Sequence, residues 1–311
     1  MKQYIFLLFL LIFSFKTKAQ KNYEPIKISD NSISIDGIIN QEEWEKAVKI
    51  DLNYETQPGY NTKPIVETSG YILYSDYHIY LRFDAKTRET VRASVRKRDD
   101  LGIFNDDIIG IVIDTYGDGR NNLFIGSNPY GSQMDVRVLN SIMEESRYEI
   151  SYDLEYESSG SINGNSYQIE IKIPFSSVPF PNGKDQKWKF KFFRKYIDYE
   201  LSSSREDRDN SCVTCQFEDD VLFRDIKIDK KFDLIPYITS SLEGSNNSSD
   251  NKIKYGKIKN NIGLSLNAEL SKSLSLELAV NPDFSQVEAD VTQIDANSAF
   301  SLSYPEKRPF F

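Results

Sequence analysis

Apolar and polar residues alternate along much of this chain with a period of two. In Tyr167-Gln168-Ile169-Glu170-Ile171-Lys172-Ile173 every second residue is apolar and those between are polar or charged, the mark of a half-buried β-strand. Comparable runs bounded by turn residues occupy Thr68–Leu73, His78–Asp84, Ile108–Asp114 and Lys187–Tyr196. The chain holds 19 Tyr and 19 Phe, residues that β-rich folds favour. Helical spacing is nearly confined to IDGIINQEEWEKA, Ile35 to Ala47. There an Asp-Gly turn is followed by Asn40, a capping residue with Glu43 in the reciprocal position. Trp44, Ala47 and Val48 share the one apolar face of that helix, which predicts that Trp44 plugs the core rather than lining a cleft. The expected fold is all-β, with an antiparallel β-sandwich over residues 20–225.

The pattern changes after Asp225. Gly244-Ser245-Asn246-Asn247-Ser248-Ser249 reads as a polar break. In NIGLSLNAELSKSLSLELAV, two alternating runs flank Ser271-Lys272-Ser273. Such a pair suits a hairpin of a membrane β-barrel and also an ordinary soluble hairpin, which periodicity alone slightly favours. The chain ends on SLSYPEKRPFF, where Pro309 and the Glu306-Lys307-Arg308 cluster interrupt any alternation. A barrel needs about eight strands or more, and only about three or four candidates follow Asp225.

At the other end, Met1-Lys2-Gln3 precedes an apolar run from Tyr4 to Phe15, and a small residue, Ala19, follows. This is the layout of a secretory signal peptide spanning 1–19; the run is shorter than the roughly 18–20 residues of a membrane span. The expected location is the cell envelope, in the outer membrane or periplasm. The net charge is −9, and removal of Lys2, Lys16 and Lys18 with the signal would make it about −12. A surface of that sign repels phosphate backbones, so nucleic acid is not an expected partner. The two cysteines stand in Ser211-Cys212-Val213-Thr214-Cys215. With one histidine, His78, in the whole chain, soft ligands are too few for zinc, and an exported protein favours a local Cys212–Cys215 disulfide.

Three stretches carry a family likeness. ISIDGIINQEEWEKA, FNDDIIGIVIDTYGDGRNNLFIGSNPYGSQMD and YQIEIKIPFSSVPF resemble the family 9 carbohydrate-binding-module-like domain of exported Bacteroidota proteins. ELAVNPDFSQVEAD and YPEKRPFF resemble the domain that follows it in that architecture, a domain of unknown function expected to form an outer-membrane β-barrel. In relatives the EKRPFF stretch continues into a long strand-rich region, so the resemblance, with the strand count, implies that residues 226–311 are the opening strands of an incomplete barrel in a truncated chain. The resemblance implies a glycan or oligosaccharide as partner, gripped in family 9 modules between two tryptophans, and an outer membrane reached through the missing barrel.

This chain has only Trp44 and Trp188, so the clamp is not evident. Sugar recognition needs aromatic faces and planar polar side chains. The candidates are Trp188, Tyr130 as a substitute platform, Asn128 and Gln133 as hydroxyl partners, and Arg98, whose planar guanidinium suits paired hydroxyls. Acidic residues with glycine turns suggest a structural calcium at Asp106, Asp107, Asp114 and Asp118. Asp114 to Gly119 is not an EF-hand, because Tyr116 occupies a ligand position and Ile125 stands where the closing Glu belongs. No cofactor is otherwise expected, and no catalytic residue is assigned. The leading reading is an exported, non-catalytic carbohydrate-binding module attached to a barrel. The alternatives are a periplasmic plug or protein-interaction scaffold and, more weakly, part of a glycoside hydrolase acting on O-glycosyl bonds, for which no G-x-S-x-G elbow or identifiable carboxylate pair speaks.

Overall fold

The computed structural model describes residues 21–140, 148–196, 200–206, 219–228, 232–242, 244–247, 252–271 and 274–281. The stretch read as a signal peptide, the cysteines Cys212 and Cys215, and the C-terminal motifs from Pro282 onward lie outside them. The chain begins with β1 (Asn22–Tyr23), β2 (Ile26–Lys27), helix α1 (Gln41–Trp44), β3 (Val48–Asp51), β4 (Tyr54–Gln57), β5 (Thr68–Tyr74) and β6 (His78–Lys86). A 3-10 turn at Leu101–Asn105 leads to β7 (Ile108–Asp114), β8 (Asn121–Ser127), β9 (Gln133–Leu139), β10 (Tyr148–Glu149), β11 (Glu157–Asn163) and β12 (Ser166–Pro174). Then come β13 (Gln186–Tyr196), β14 (Glu200–Ser203), β15 (Asp219–Phe223), β16 (Phe232–Ser241), β17 (Gly244–Asn247), β18 (Lys252–Tyr255), β19 (Lys259–Ser271) and β20 (Leu274–Val280). Each strand named from the alternation is present, extended by up to two residues.

Two mainly antiparallel sheets face each other. One runs β1-β15-β13-β7-β8-β9-β10, with β14 and β4 appended; the other runs β11-β12-β6-β5-β2, with β3 beside β5. Period two decides which side chains meet between them. Ile109, Ile111 and Ile113 of β7 and Trp188, Phe190 and Phe192 of β13 pack against Ile79, Leu81 and Phe83 of β6 and Ile169, Ile171 and Ile173 of β12. The sandwich fold read from the sequence is the fold found.

Trp44 departs from its expected place. It is buried, but with Ile33, Leu73 and Tyr80 on the outer face of the β5–β6 sheet. Its indole N–H donates to Glu170 Oε1 at 3.1 Å, and Glu170 Oε2 accepts from Gly37 N–H at 3.1 Å. α1 is therefore a lid on one half of that outer face and does not enter the space between the sheets. Asn40 does cap it, accepting from Glu42 N–H at 3.1 Å.

The C-terminal strands form a sheet of their own, β16-β19-β20. Of the polar stretch expected as a break, Gly244–Asn247 form strand β17, paired with β18, and Ser248 and Ser249 lie outside the described residues. Cross-strand register lines up Phe232, Ala268 and Leu276; then Leu234, Leu266 and Leu278; then Pro236, Leu264 and Val280; then Ile238 and Ile262. Directly opposed residues share a face, so one side of this sheet is apolar over these four rows and ends at Ser240 and Asn260, and Phe232, Ile238, Ile262 and Val280 on it are exposed. The other side is mixed, carrying Asp233, Asn267, Glu277, Ser265 and Thr239 together with Ile235, Tyr237 and Ala279.

Trp188 is the largest fully buried side chain, with ring centroids of Phe180, Phe223 and Phe175 at 5.1, 5.3 and 5.8 Å. Replacing it by Ala is expected to destabilise the fold by about 3–5 kcal/mol. Urea unfolding of the variant measures this; a loss below about 1 kcal/mol, the size of a surface change, would mean that the indole is not sealed in the core.

Candidate functional site

The candidate sugar-binding residues separate into two groups. Trp188 is the correction: it is 0% exposed, and the phenylalanines around it leave no ring face for a ligand. β13 alternates from Trp188 inward, so the same period that builds the core removes this indole from any site. Asn128, Tyr130, Gln133 and Arg98 do come together, around the turn between β8 and β9.

That turn is fixed by the backbone first. Gly131 sits at φ +82°, a conformation other residues adopt at a cost. Gly160 of β11 comes so close that a Cβ there would meet Pro129 O at 2.4 Å. Ser158 Oγ donates to Gly131 O at 2.8 Å. Asn128 is fully buried inside the turn, its Oδ1 accepting the N–H groups of Tyr130 and Ser132, both at 3.0 Å. Its Nδ2 donates to Ser94 O at 2.7 Å and to Asp106 Oδ2 at 2.9 Å. Both ends of the amide are engaged, so Asn128 is a brace rather than a hydroxyl partner.

Gln133 and Arg98 are committed in the same way. Gln133 Nε2 donates to Tyr156 O at 2.7 Å, and its Oε1 accepts from Arg98 Nη1 at 3.3 Å. Arg98 Nη2 donates to Asp135 Oδ1 at 2.5 Å and to Leu154 O, and the guanidinium lies over the Tyr156 ring at 5.3 Å. These planar groups tie the loop ahead of β7 to β9 and to the approach of β11. Of the expected set, Tyr130 alone presents a ring to solvent, 52% exposed.

The sequence reading missed a second exposed ring, Phe104, on the 3-10 turn. Arg96 Nε and Nη2 grip Asp106 at 2.7 and 2.9 Å, a two-pronged contact suited to guanidinium and carboxylate. Burial alone would raise the Asp106 pKa, but the bonds from Arg96 and Asn128 outweigh it and hold the carboxyl below its usual range. Asp106 thereby joins the 3-10 turn to the β8–β9 turn. Phe104, two residues before it, is 46% exposed, while the adjacent Ile103 fills a small core with Met134 and Val136. In LGIFNDD the apolar positions look alike, and only the turn decides that Phe104 faces outward.

The four acids expected to hold calcium do not converge. Asp106 is taken by Arg96 and Asn128, and Asp107 faces Arg194 at 3.4 Å. Asp114, at the far end of β7, accepts the N–H groups of Tyr116, Gly117 and Gly119 at 3.1, 2.8 and 2.7 Å. Asp118 accepts Arg120 N–H at 2.9 Å. Seven residues of extended chain put Asp107 and Asp114 roughly 24 Å apart. Among the described residues no three His, Cys, Asp or Glu side chains are grouped to hold a metal ion. These acids serve turns and ion pairs.

Residues 230–311 match the model of a family described as a domain of unknown function, DUF5916. No curated protein matches the chain. Among solved structures the chain is similar to a candidate carbohydrate-binding protein from Bacteroides uniformis ATCC 8492, at 16% identity and a TM-score of 0.50, over 66% of this chain and 100% of that one. A family 9 carbohydrate-binding module from Caldicellulosiruptor kristjanssonii in complex with cellotriose matches at 12% identity and a TM-score of 0.46, over 67% of this chain and 95% of that one. The same organism's module in complex with glucose gives 13%, 0.45, 67% and 97%. At these identities the likeness is one of fold.

Asp135 gives the cluster a pH signature. Its side chain is fully buried, and burial pushes its pKa from 3.8 up to about 6 despite Arg98 and the Leu154 N–H. A carboxyl whose pKa is raised on folding contributes stability that is full below about 3.8 and lost as pH rises through about 6. Asp135→Asn is expected to flatten the fall in unfolding free energy between those two values. Denaturant titrations of both proteins across that window measure it; an equal or steeper fall in the variant contradicts the assignment.

Proposed function

We propose that the sandwich is a non-catalytic carbohydrate-binding module that receives a sugar where Phe104 and Tyr130 stand out from neighbouring loops. The Asp106–Asn128 bond of 2.9 Å carries this reading, because it holds two half-exposed rings on adjoining, braced turns. Aromatic faces on rigid loops offer the apolar side of a pyranose a surface at low entropic cost. The fold likeness to a candidate carbohydrate-binding protein supports the same class of ligand. Asp106 and Asp107 are held by Arg96 and Arg194, so neither stands as one of the paired carboxylates that glycoside hydrolysis needs.

The C-terminal sheet supports attachment to an outer membrane. Its apolar face extends over four cross-strand rows, from Phe232 to Ile238, roughly 20 Å at about 3.4 Å per residue. That is comparable with the ~25 Å apolar band of membrane barrels, whose strands alternate apolar-out and polar-in. We read the N-terminal apolar stretch as the export signal that brings the chain to the envelope.

Isothermal titration of the full chain with glucose and cello-, xylo- and malto-oligosaccharides tests the sugar site. Phe104→Ala and Tyr130→Ala are each expected to weaken binding by about tenfold; absence of binding across the panel, or binding indifferent to both variants, removes this site. For the membrane reading, an environment-sensitive fluorophore is placed at Leu278→Cys or Glu277→Cys in protein reconstituted into outer-membrane lipid vesicles. Emission at 278 is expected to be blue-shifted relative to 277, since adjacent strand residues face opposite ways. Equal spectra contradict a lipid-facing side.

A further inference from the structure

The outer face of the β5–β6–β12–β11 sheet bears a groove of about 470 Å³, lined by no residue of the loops that carry Phe104 and Tyr130. That volume lies within the ~300–1,000 Å³ usual for small-ligand sites. The α1 segment, held down by Trp44 on Leu73 and Tyr80, walls one side with Gln41. The floor comes from residues that period two turns outward: Tyr71 of β5, Arg82 and Asp84 of β6, Gln168 of β12, and Ser161 and Asn163 of β11. Register places Ser69, Asp84, Gln168 and Ser161 in one row across four strands. Strands about 4.8 Å apart make that row roughly 14 Å long, a span for a short oligosaccharide rather than one ring.

The charges in the groove are already matched. Arg82 Nε and Nη2 donate to the two Asp84 oxygens at 3.0 and 2.7 Å, and Arg82 Nη1 donates to Gln41 Oε1 at 3.3 Å. Lys86 pairs with Glu67 at 2.6 Å, and Lys49 with Asp51 at 2.9 Å. No net charge is left to attract a phosphate, a carboxylate or a cation, and the Arg82 fork is spent on Asp84. What remains is neutral hydrogen-bonding capacity. Gln168 donates Nε2 to Asp84 Oδ1 at 2.7 Å, which orients its amide, while its Oε1 and the side chains of Ser161 and Asn163 have no hydrogen bond to another described residue. The Arg82 guanidinium lies on the Tyr71 ring at 4.8 Å and its side chain is only 4% exposed, so the floor is set before any ligand arrives.

We infer that this groove is a second binding site, which takes a neutral, extended oligosaccharide across the strands. It rests on its own lining residues and is independent of the Phe104–Tyr130 end.

The test uses the full chain and neutral tetrasaccharides of β-1,4-glucan, β-1,4-xylan, β-1,3-glucan and α-1,4-glucan, with a polygalacturonate tetramer as the acidic comparison. Ser161→Trp fills the groove, and the double variant Gln168→Ala/Asn163→Ala removes its unspent polar groups; thermal unfolding confirms that each remains folded. Either change is expected to weaken at least one neutral tetrasaccharide by about tenfold or more, with Tyr130→Ala leaving that component of binding in place. Binding lost only with Tyr130→Ala or Phe104→Ala overturns the groove and leaves the loop-end site standing. Binding lost only with the groove variants does the reverse. No neutral tetrasaccharide bound overturns both, and preference of the groove for the acidic tetramer overturns the neutral ligand class.

Discussion

The aromatic and aliphatic layer between the two sheets is the constraint on which the rest of this molecule depends. A sandwich of this size gains most of its stability from apolar area removed from water, and β13 supplies the densest part of it, Trp188, Phe190 and Phe192 in one inward row. Once those rings are spent on packing, recognition is left to whatever the loops and the outer sheet faces carry. Both tryptophans are consumed: one between the sheets, the other clamping α1 onto the outside of the smaller sheet. A two-tryptophan grip on a sugar is therefore closed to this chain by its own core.

A second layer of order comes from buried ionic and amide groups. Arg194 is fully buried on β13 yet donates to Thr68 Oγ1 at 2.7 Å and to Lys86 O at 2.9 Å in the opposite sheet, with Asp107 at 3.4 Å and the Tyr196 ring at 4.7 Å. Arg96 with Asp106, and Arg98 with Asp135, do for the loops what Arg194 does for the sheets. Partly buried ion pairs of this kind are costly to break, because the partner left behind is desolvated and unpaired. Their value here is positional: they fix the turns that hold Phe104 and Tyr130 and so set the geometry of one end of the sandwich.

Much of the fold was legible in the sequence because period-two alternation is a direct readout of which side chains face the core. Tyr167 to Ile173 shows it without ambiguity, and β7 was bounded to the residue. The candidate site was less legible, for a physical reason. Asn128, Gln133 and Arg98 have the planar polar chemistry that binds hydroxyls, and the same chemistry that braces loops; only coordinates tell which partner each has taken. Trp188 was ambiguous because a strand residue faces core or cleft with equal ease until the register is known. Phe104 was overlooked because a short 3-10 turn breaks the alternation that would otherwise assign it. The groove could not be seen at all, since it depends on the lateral order of β5, β6, β12 and β11, which no local pattern encodes. In the C-terminal sheet the alternation was plain, but the shared apolar side emerged only once β16 was found paired to β19.

Both indoles are sealed by packing, and the proposed sugar sites leave them untouched. Acrylamide quenching of tryptophan fluorescence in the native full chain tests this most directly, because Trp44 and Trp188 are the only emitters of that class. With both indoles packed away, quenching is expected to be weak and released on unfolding in denaturant, with an emission spectrum and quenching slope unaltered by saturating oligosaccharide. Strong quenching of the native protein, suppressed when a sugar is added, would place a tryptophan in the site and contradict the account.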